Sequence, residues 1–280
     1  METPSDTDIL PRLELARAIA RQAGELTLRY FRSSSLTVDR KADDSPVTVA
    51  DREAETLMRR RIAAVFPDDG ILGEEYGEVP GGGGFRWIID PIDGTKSFVA
   101  GVPLYGNLVA VEHDGTPIIG VINIPAQRDM VYAAAGHGAF RILGDAAPAP
   151  ARVSDTAALG DGVFLTSEPE VYRARGADEA FSRLIARARM TRTWGDAFGY
   201  VLVATGRATV MVDPRMELWD AAPMRPILEE AGGTFTSWTG EPTHTSGEGV
   251  ATNGATLEEV LAITRGFVEE KSDAVSAATG

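Results

Sequence analysis

The chain of 280 residues is long enough for one large domain, or for two modest ones sharing a core. Its 44% apolar and 24% charged residues are those of a globular protein, and no apolar run reaches the roughly 18 residues of a membrane span. A net charge of −14 argues against a broad nucleic-acid surface, which needs clustered Lys and Arg, and the lack of cysteine excludes disulfides and thiolate metal sites. The acidic start, with no basic segment ahead of an apolar one, is a poor secretion signal, so the expected location is the cytoplasm.

The spacing of Ile9, Leu13, Ala16, Ala20, Ala23 and Phe31 predicts a helix over 8–32. A polar stretch, 39–46, precedes a second helix over 49–66, where Ala50, Ala54, Leu57, Met58, Ile62 and Val65 form the apolar stripe and Arg59, Arg60 and Arg61 a solvated face. Ile71-Leu72 and Trp87-Ile88-Ile89 read as strands around a loop of four glycines at 81–84. Residues 106–113 and 117–124 flank Asp114-Gly115, a strong hairpin signal, and strand continues at 130–135 and 139–143. The Ala- and Pro-rich segment 144–155 predicts a linker between an N-terminal α+β part, 8–145, and a C-terminal α/β part, 152–268. There the pattern predicts strands at 163–167, 207–212, 234–238 and 250–252, and helices near 170–188, 196–206 and 220–231. A last helix opens on Thr256-Leu257-Glu258-Glu259, whose spacing fits a capping box between Thr256 and Glu259. Residues 269–280 are expected to form a frayed tail. No internal repeat is present, and the order of elements suggests a layered α/β architecture.

Acidic residues stand beside Gly, Pro or Thr, or at a predicted helix start, in four places: Asp51, Glu74-Glu75, Asp90 with Asp93, and Asp220. The segment Asp90-Pro91-Ile92-Asp93-Gly94-Thr95 carries the most information. A strand ending in Asp-Pro puts a carboxylate at the sheet edge; Pro91 stiffens the turn, and Gly94 permits close approach or unusual dihedrals. If a helix starts near Thr95, its free N–H groups make an anion site. Two carboxylates beside such a site would repel a phosphate unless divalent cations lay between them. Magnesium takes oxygen ligands of this kind and keeps places for water and phosphate; two ions could activate a water and stabilise the leaving oxygen. Each segment alone also has a plain structural reading, as a turn, a surface pair or a helix cap. Their joint occurrence in this order carries the functional one.

Lys41 followed by DDSPVTVAD (43–51), GEEYG (73–77), WIIDPIDGTKSF (87–98) and WDAAPMRPILEEAGG (219–233) resemble, in order and spacing, the inositol monophosphatase family of magnesium-dependent, lithium-sensitive phosphatases. The resemblance implies an αβαβα sandwich of the inositol monophosphatase and fructose-1,6-bisphosphatase type, a homo-oligomer with a dimer favoured, and two or three Mg2+ per site. It also implies residue roles. Glu74, rather than Glu75, binds metal and orients the attacking water; Asp90 bridges two metals; the Ile92 carbonyl completes the shell of the first metal; Asp93 and Asp220 hold the second metal and border the substrate. Thr95 positions or activates the water, Asp51 orients the Thr95 hydroxyl, and the Gly94 and Thr95 N–H groups receive the phosphate. Lys41 falls near the site or in solvent. His113, His137 and His244 lie outside the motifs and are expected to be structural.

The run Trp194-Gly195-Asp196, with Gly199-Tyr200 and Asp213-Pro214 ahead of Trp219, is most similar to the histidinol-phosphate phosphatases of that family. Histidinol phosphate carries an ammonium and an imidazole, so Asp196 and Asp213 are candidate readers of a cationic substrate. Alternatively Asp196 caps the helix at 196–206 and Asp213 ends a strand. Trp194 either stacks on the imidazole or belongs to the core. Competing readings are an inositol-phosphate or broad sugar-phosphate phosphatase, a 3′-phosphoadenosine nucleotidase, which shares the Asp-Gly-Thr-Lys run, and a phosphate-binding regulatory protein without turnover.

Overall fold

The computed structural model describes residues 4–33, 38–40 and 46–267; Lys41, residues 43–45 and the expected tail at 269–280 lie outside them. Helices α1 (Asp6–Thr27) and α2 (Val49–Val65) follow the two predicted apolar stripes, and a ribbon of β1 (Val38–Arg40) and β2 (Pro46–Thr48) leads into α2. The next strands are β3 (Gly70–Gly73), β4 (Gly77–Val79), β5 (Phe85–Asp93), β6 (Gly106–His113), β7 (Thr116–Ile124), β8 (Asp129–Ala134), β9 (Gly138–Leu143) and β10 (Ala149–Pro150). They form one sheet in the order β10-β9-β8-β7-β6-β5-β3-β4, in which β3 and β5 run parallel and every other pair antiparallel. The short helix α3 (Thr95–Val99) follows β5. Asp114 and Gly115 both have positive φ, as a two-residue hairpin between right-twisted strands requires.

The second sheet comprises β11 (Val163–Leu165), β12 (Met190–Arg192), β13 (Val210–Asp213), β14 (Thr234–Thr236) and β15 (Gly249–Thr252), in the order β12-β11-β13-β15-β14. Helices α6 (Ala197–Ala204), α7 (Leu218–Ala221) and α8 (Met224–Glu230) fill the space between the sheets. Helices α4 (Pro169–Ala174), α5 (Asp178–Arg187) and α9 (Leu257–Thr264) cover the outer face. The period of two along β6 shows why the large sheet has no wet face. Val109 and Val111 pack with α1 and α2, whereas Leu108 and Ala110 point to the middle helices, and all four are fully buried. The result is the five-layer αβαβα sandwich.

Several local expectations change in the folded chain. Residues 144–155 are not a free linker: β10 extends the sheet edge, the Ala151 N–H donates to the Ala139 carbonyl, and Asn253 holds the carbonyls of Ser154 and Thr156. The helix expected over 170–188 breaks where Gly176 adopts φ 74°, and the one over 220–231 breaks at Pro223, which has no N–H to continue it. The Thr256–Glu259 capping box does not form. The Thr256 hydroxyl donates to Asn253, and Glu259 accepts the distant Leu159 N–H, so a tertiary contact replaces a local one. Arg60 and Arg61 are exposed, but Arg59 turns inward to the buried carboxylate of Glu55. No helix among the described residues is long and apolar enough to cross a membrane.

One irregularity positions the site. Along β5 and β6, Asp90 pairs with Leu108 and Asp93 with Gly106, so three steps on β5 face two on β6. In a regular strand, residues three apart point to opposite faces; the extra residue of a bulge lets Asp90 and Asp93 turn to the same one. A buried polar ladder holds it. Asn107 Nδ2 donates to the Pro91 carbonyl at 2.7 Å, Asn123 Nδ2 to Asn107 Oδ1 at 2.9 Å, and Asn123 Nδ2 also to the Ala20 carbonyl of α1 at 3.1 Å. Gly24 of α1 makes room, since a Cβ there would lie 2.5 Å from Asn123 Nδ2. Replacing Asn107 by Ala strands a buried carbonyl and a buried amide. Urea denaturation should show a loss of about 1–3 kcal/mol; an unchanged midpoint would mean that the bulge does not depend on this ladder.

Candidate active site

Asp90 and Asp93 are buried at the end of β5, and Asp220, half-buried, comes from α7 across the cavity. One carboxylate oxygen of each lies within 4.8 Å of the others. They line a cavity of about 1180 Å³ together with Glu74, Gly94, Thr95 and Asp196. Burial pushes the Asp90 and Asp93 carboxyls well above the ordinary range. Asp90 is raised further by Glu74, Asp93 and Asp220, and Asp93 by Asp196 and Asp220. Loss of water around Asp220, with Glu74 adding repulsion, raises it to about 8 against the opposing pull of the Glu217 N–H, which donates to it at 2.9 Å. Among the described residues, no protein cation is a main influence on these three carboxyls. A set of convergent oxygens without sulfur, imidazole or a neutralising arginine fits a hard divalent cation.

Glu74 follows β3. Its N–H donates to the Ile89 carbonyl at 3.3 Å, and its neighbours are clamped by Glu55, which accepts the Glu75 N–H at 2.7 Å and the Tyr76 N–H at 3.1 Å. A Cβ on Gly73 would fall 2.2 Å from Glu55 Oε1, so the loop closes on this carboxylate only because residue 73 is glycine. Glu55 was not singled out in the sequence, yet it had a signal: an acid four residues after Asp51 on the stripe of Met58 and Ile62. The Thr95 hydroxyl donates to the Ile92 carbonyl at 3.0 Å, while the Ile92 N–H donates to Asp90 Oδ1 at 2.9 Å. Gly94 precedes α3 with φ 79°, and a Cβ there would meet Asp196 Oδ2 at 2.5 Å; conformation and space both demand glycine.

The expected hydrogen bond from the Thr95 hydroxyl to Asp51 is not formed. Asp51 Oδ2 instead accepts the N–H of Thr48 at 2.8 Å and its hydroxyl at 2.6 Å, closing the first turn of α2. Burial, with Glu75 and Glu74 nearby, raises Asp51 to about 7. Asp196 is not the side-chain cap of α6 either; Asp93 Oδ2 reaches across from the other sheet to accept the Ala197 N–H at 2.6 Å. Among the described residues the Asp196 carboxylate has no side-chain hydrogen-bond partner, and burial, Asp213 and Glu168 raise it to about 6. Asp213 also borders the cavity, but its oxygens already accept four hydrogen bonds, from the Ser167 N–H and hydroxyl, Thr166 and Tyr200. Trp194 is neither core nor cavity wall: it is 41% exposed and faces Arg192. The three histidines lie away from the cavity, with His244 bonded to Glu112 at 2.5 Å.

The sandwich and its carboxylate-lined cavity define a metal-dependent hydrolase of phosphoric monoesters, and the chain matches the inositol monophosphatase family over residues 8–269. It belongs to that family. The histidinol-phosphatase of Chlorobaculum parvum is 46% identical over 253 residues, spanning 90% of this chain and 96% of its own. The histidinol-phosphatase of Mycobacterium tuberculosis is 40% identical over 249 residues, spanning 89% and 96%. The solved Thermotoga maritima IMPase superposes with a TM-score of 0.81 at 31% identity, covering 92% of this chain and 98% of that one.

The raised carboxyls set a pH dependence. The folded, metal-free protein binds protons at Asp196, Asp51 and Asp220 that the unfolded chain has released, so its stability falls as pH rises from about 4 toward about 8. Magnesium needs the ionised carboxylates of the cluster and removes their repulsion. The rise in Tm on adding Mg2+ over chelator should therefore grow between pH 5.5 and pH 8; an equal rise at both would show that the cation binds elsewhere.

Proposed function

We propose that the chain hydrolyses histidinol phosphate with Mg2+, releasing histidinol and inorganic phosphate. The observation that carries this reading is the carboxylate of Asp196, without a side-chain hydrogen-bond partner among the described residues, on the wall of a phosphatase cavity, against Gly94 and beside the carboxylate cluster. It offers a counter-charge to a substrate cation, which an inositol ring does not have. The two histidinol-phosphatase relatives support the same substrate.

In this reading Glu74, Asp90, the Ile92 carbonyl, Asp93 and Asp220 hold two or three Mg2+. The bound ions supply charge neutralisation and a water acidic enough to ionise near neutral pH. Glu74 orients the attacking water and takes up its proton, and the Thr95 hydroxyl, which donates its own proton to the Ile92 carbonyl, orients that water by accepting a hydrogen bond from it. The N–H groups of Gly94 and Thr95, at the open start of α3, receive phosphate oxygens. Water oxygen bonds to phosphorus, the ester P–O bond breaks, and the departing oxygen picks up a proton to give the alcohol. Asp196 takes the substrate's ammonium or imidazolium. Asp213 acts at one remove, holding residues 166–167 in the cavity wall and adding negative charge near Asp196. The working form is taken to be a homodimer on the family resemblance alone.

Phosphate release from histidinol phosphate and from myo-inositol 1-phosphate, measured side by side with Mg2+ and with chelator, tests the reading. A strong, magnesium-dependent preference for histidinol phosphate is expected; preference for the inositol ester would keep the metal chemistry and discard the substrate. Asp93→Asn keeps an acceptor for the Ala197 N–H but loses the charge that holds metal. It should fold, with kcat reduced about a hundredfold or more. Near-normal turnover would remove Asp93 from the mechanism.

A further inference from the structure

The cavity mouth carries a charged pair that the mechanism above does not use. Lys96, the second residue of α3, projects from the N-terminal part. Its Nζ forms an ion pair with Glu168, the residue before α4 in the C-terminal part. Both side chains line the cavity, and the pair is open to water, with 67% of the lysine side chain and 36% of the glutamate exposed. Glu168 makes no side-chain cap to α4. Both residues act on the charge of Asp196, Glu168 raising its pKa and Lys96 lowering it. Lys96 is the immediate neighbour of Thr95, where the phosphate is placed.

We infer that Lys96 and Glu168 determine specificity by exchanging partners: on substrate entry Lys96 leaves Glu168 for the phosphate, and Glu168 takes the one of the alcohol's two cationic groups, ammonium or imidazolium, that Asp196 does not hold. This rests on the histidinol phosphate reading and deepens it. An exposed pair is weak enough to be broken. A zwitterionic ester replaces each half of it with a partner of the right sign, so the exchange strands no charge at the mouth. A neutral phosphate ester can satisfy Lys96 but leaves Glu168 without a cation, next to Asp196, a second carboxylate. The mouth thereby selects against uncharged alcohols as well as for cationic ones.

The test uses the full chain with Mg2+, and kcat and KM for histidinol phosphate and for glycerol 2-phosphate, a neutral-alcohol ester. The variants are Glu168→Gln, Lys96→Gln and the two together. Glu168→Gln should raise KM for histidinol phosphate about fivefold with little change in kcat, and leave KM for glycerol 2-phosphate unchanged or lower. Lys96→Gln should raise KM for both esters. The Glu168→Gln effect on histidinol phosphate should persist in the Lys96→Gln background, because Glu168 meets the substrate itself. If it vanishes there, or strikes both esters equally, Glu168 only holds Lys96 and the exchange is wrong. If the unaltered enzyme releases phosphate from glycerol 2-phosphate but not from histidinol phosphate, the substrate reading fails and the exchange fails with it.

Discussion

Repulsion among three enclosed carboxylates governs this molecule. Elsewhere the fold gives five of its buried acids an arginine and holds the other two, Asp51 and Asp213, with hydrogen bonds from neutral groups. Asp69 takes Arg12 at 2.8 Å, Asp129 takes Arg141 at 2.7 Å and Arg207 at 3.3 Å, Glu55 takes Arg59 and Glu112 takes Arg86, both at 2.7 Å, and Glu248 pairs with Arg175. All five acids are at most 7% exposed. Asp90, Asp93 and Asp220 have no ion-pair partner among the described residues, although one oxygen of each lies within 4.8 Å of the others. An unpaired buried charge is costly, and proteins normally pair it or shift its pKa. Three convergent carboxylates left without a cation among the described residues could hold one from solution.

Holding like charges together requires rigid supports, and these are polar and internal. The bulge at Asp90–Asp93 is tied through Asn107 and Asn123 to α1, and the Glu74 loop through Glu55 to α2. Both helices lie on the face of the large sheet away from the second sheet. The layer farthest from the second sheet therefore fixes the ligands, while the middle layer supplies Asp220. This arrangement separates the packing that stabilises the fold from the groups that need access to solvent.

The acids that the fold brings together in the cavity were legible in the sequence because they break local patterns: acids beside Pro, Gly and Thr at strand ends attract notice. The residues that hold them were not. Asn107 and Asn123 look like ordinary polar positions in strands whose other residues are apolar, and only the register of β6 with β7 places them side by side. The segment 144–155 has a linker's composition, but edge strands tolerate Pro and small side chains, so composition could not tell the two apart. Thr256 and Glu259 had the right spacing for a cap and lost it to contacts with Asn253 and Leu159, whose proximity no local rule encodes. Asp51 had the right residue type for a catalytic partner, but its own helix start claims it first.

The site is also the joint between the two parts of the chain. Leu108 and Ile122 of the large sheet share one hydrophobic cluster with Val201, Ile227 and Phe235 of the C-terminal part, so the parts dock through a continuous core. At the cavity the joint becomes polar: Asp93 caps α6, and Gly94 lies against Asp196. Asp93 consequently has two tasks, to hold the start of α6 and to face Asp220. Its hydrogen bond from the Ala197 N–H favours the ionised form, against burial and the neighbouring acids. Docking of the two parts thus helps prepare the charge that the cation requires. A cation held between Asp93 and Asp220 would in turn tie β5 to α7 more tightly and so link metal binding to the packing of the layers through this one carboxylate.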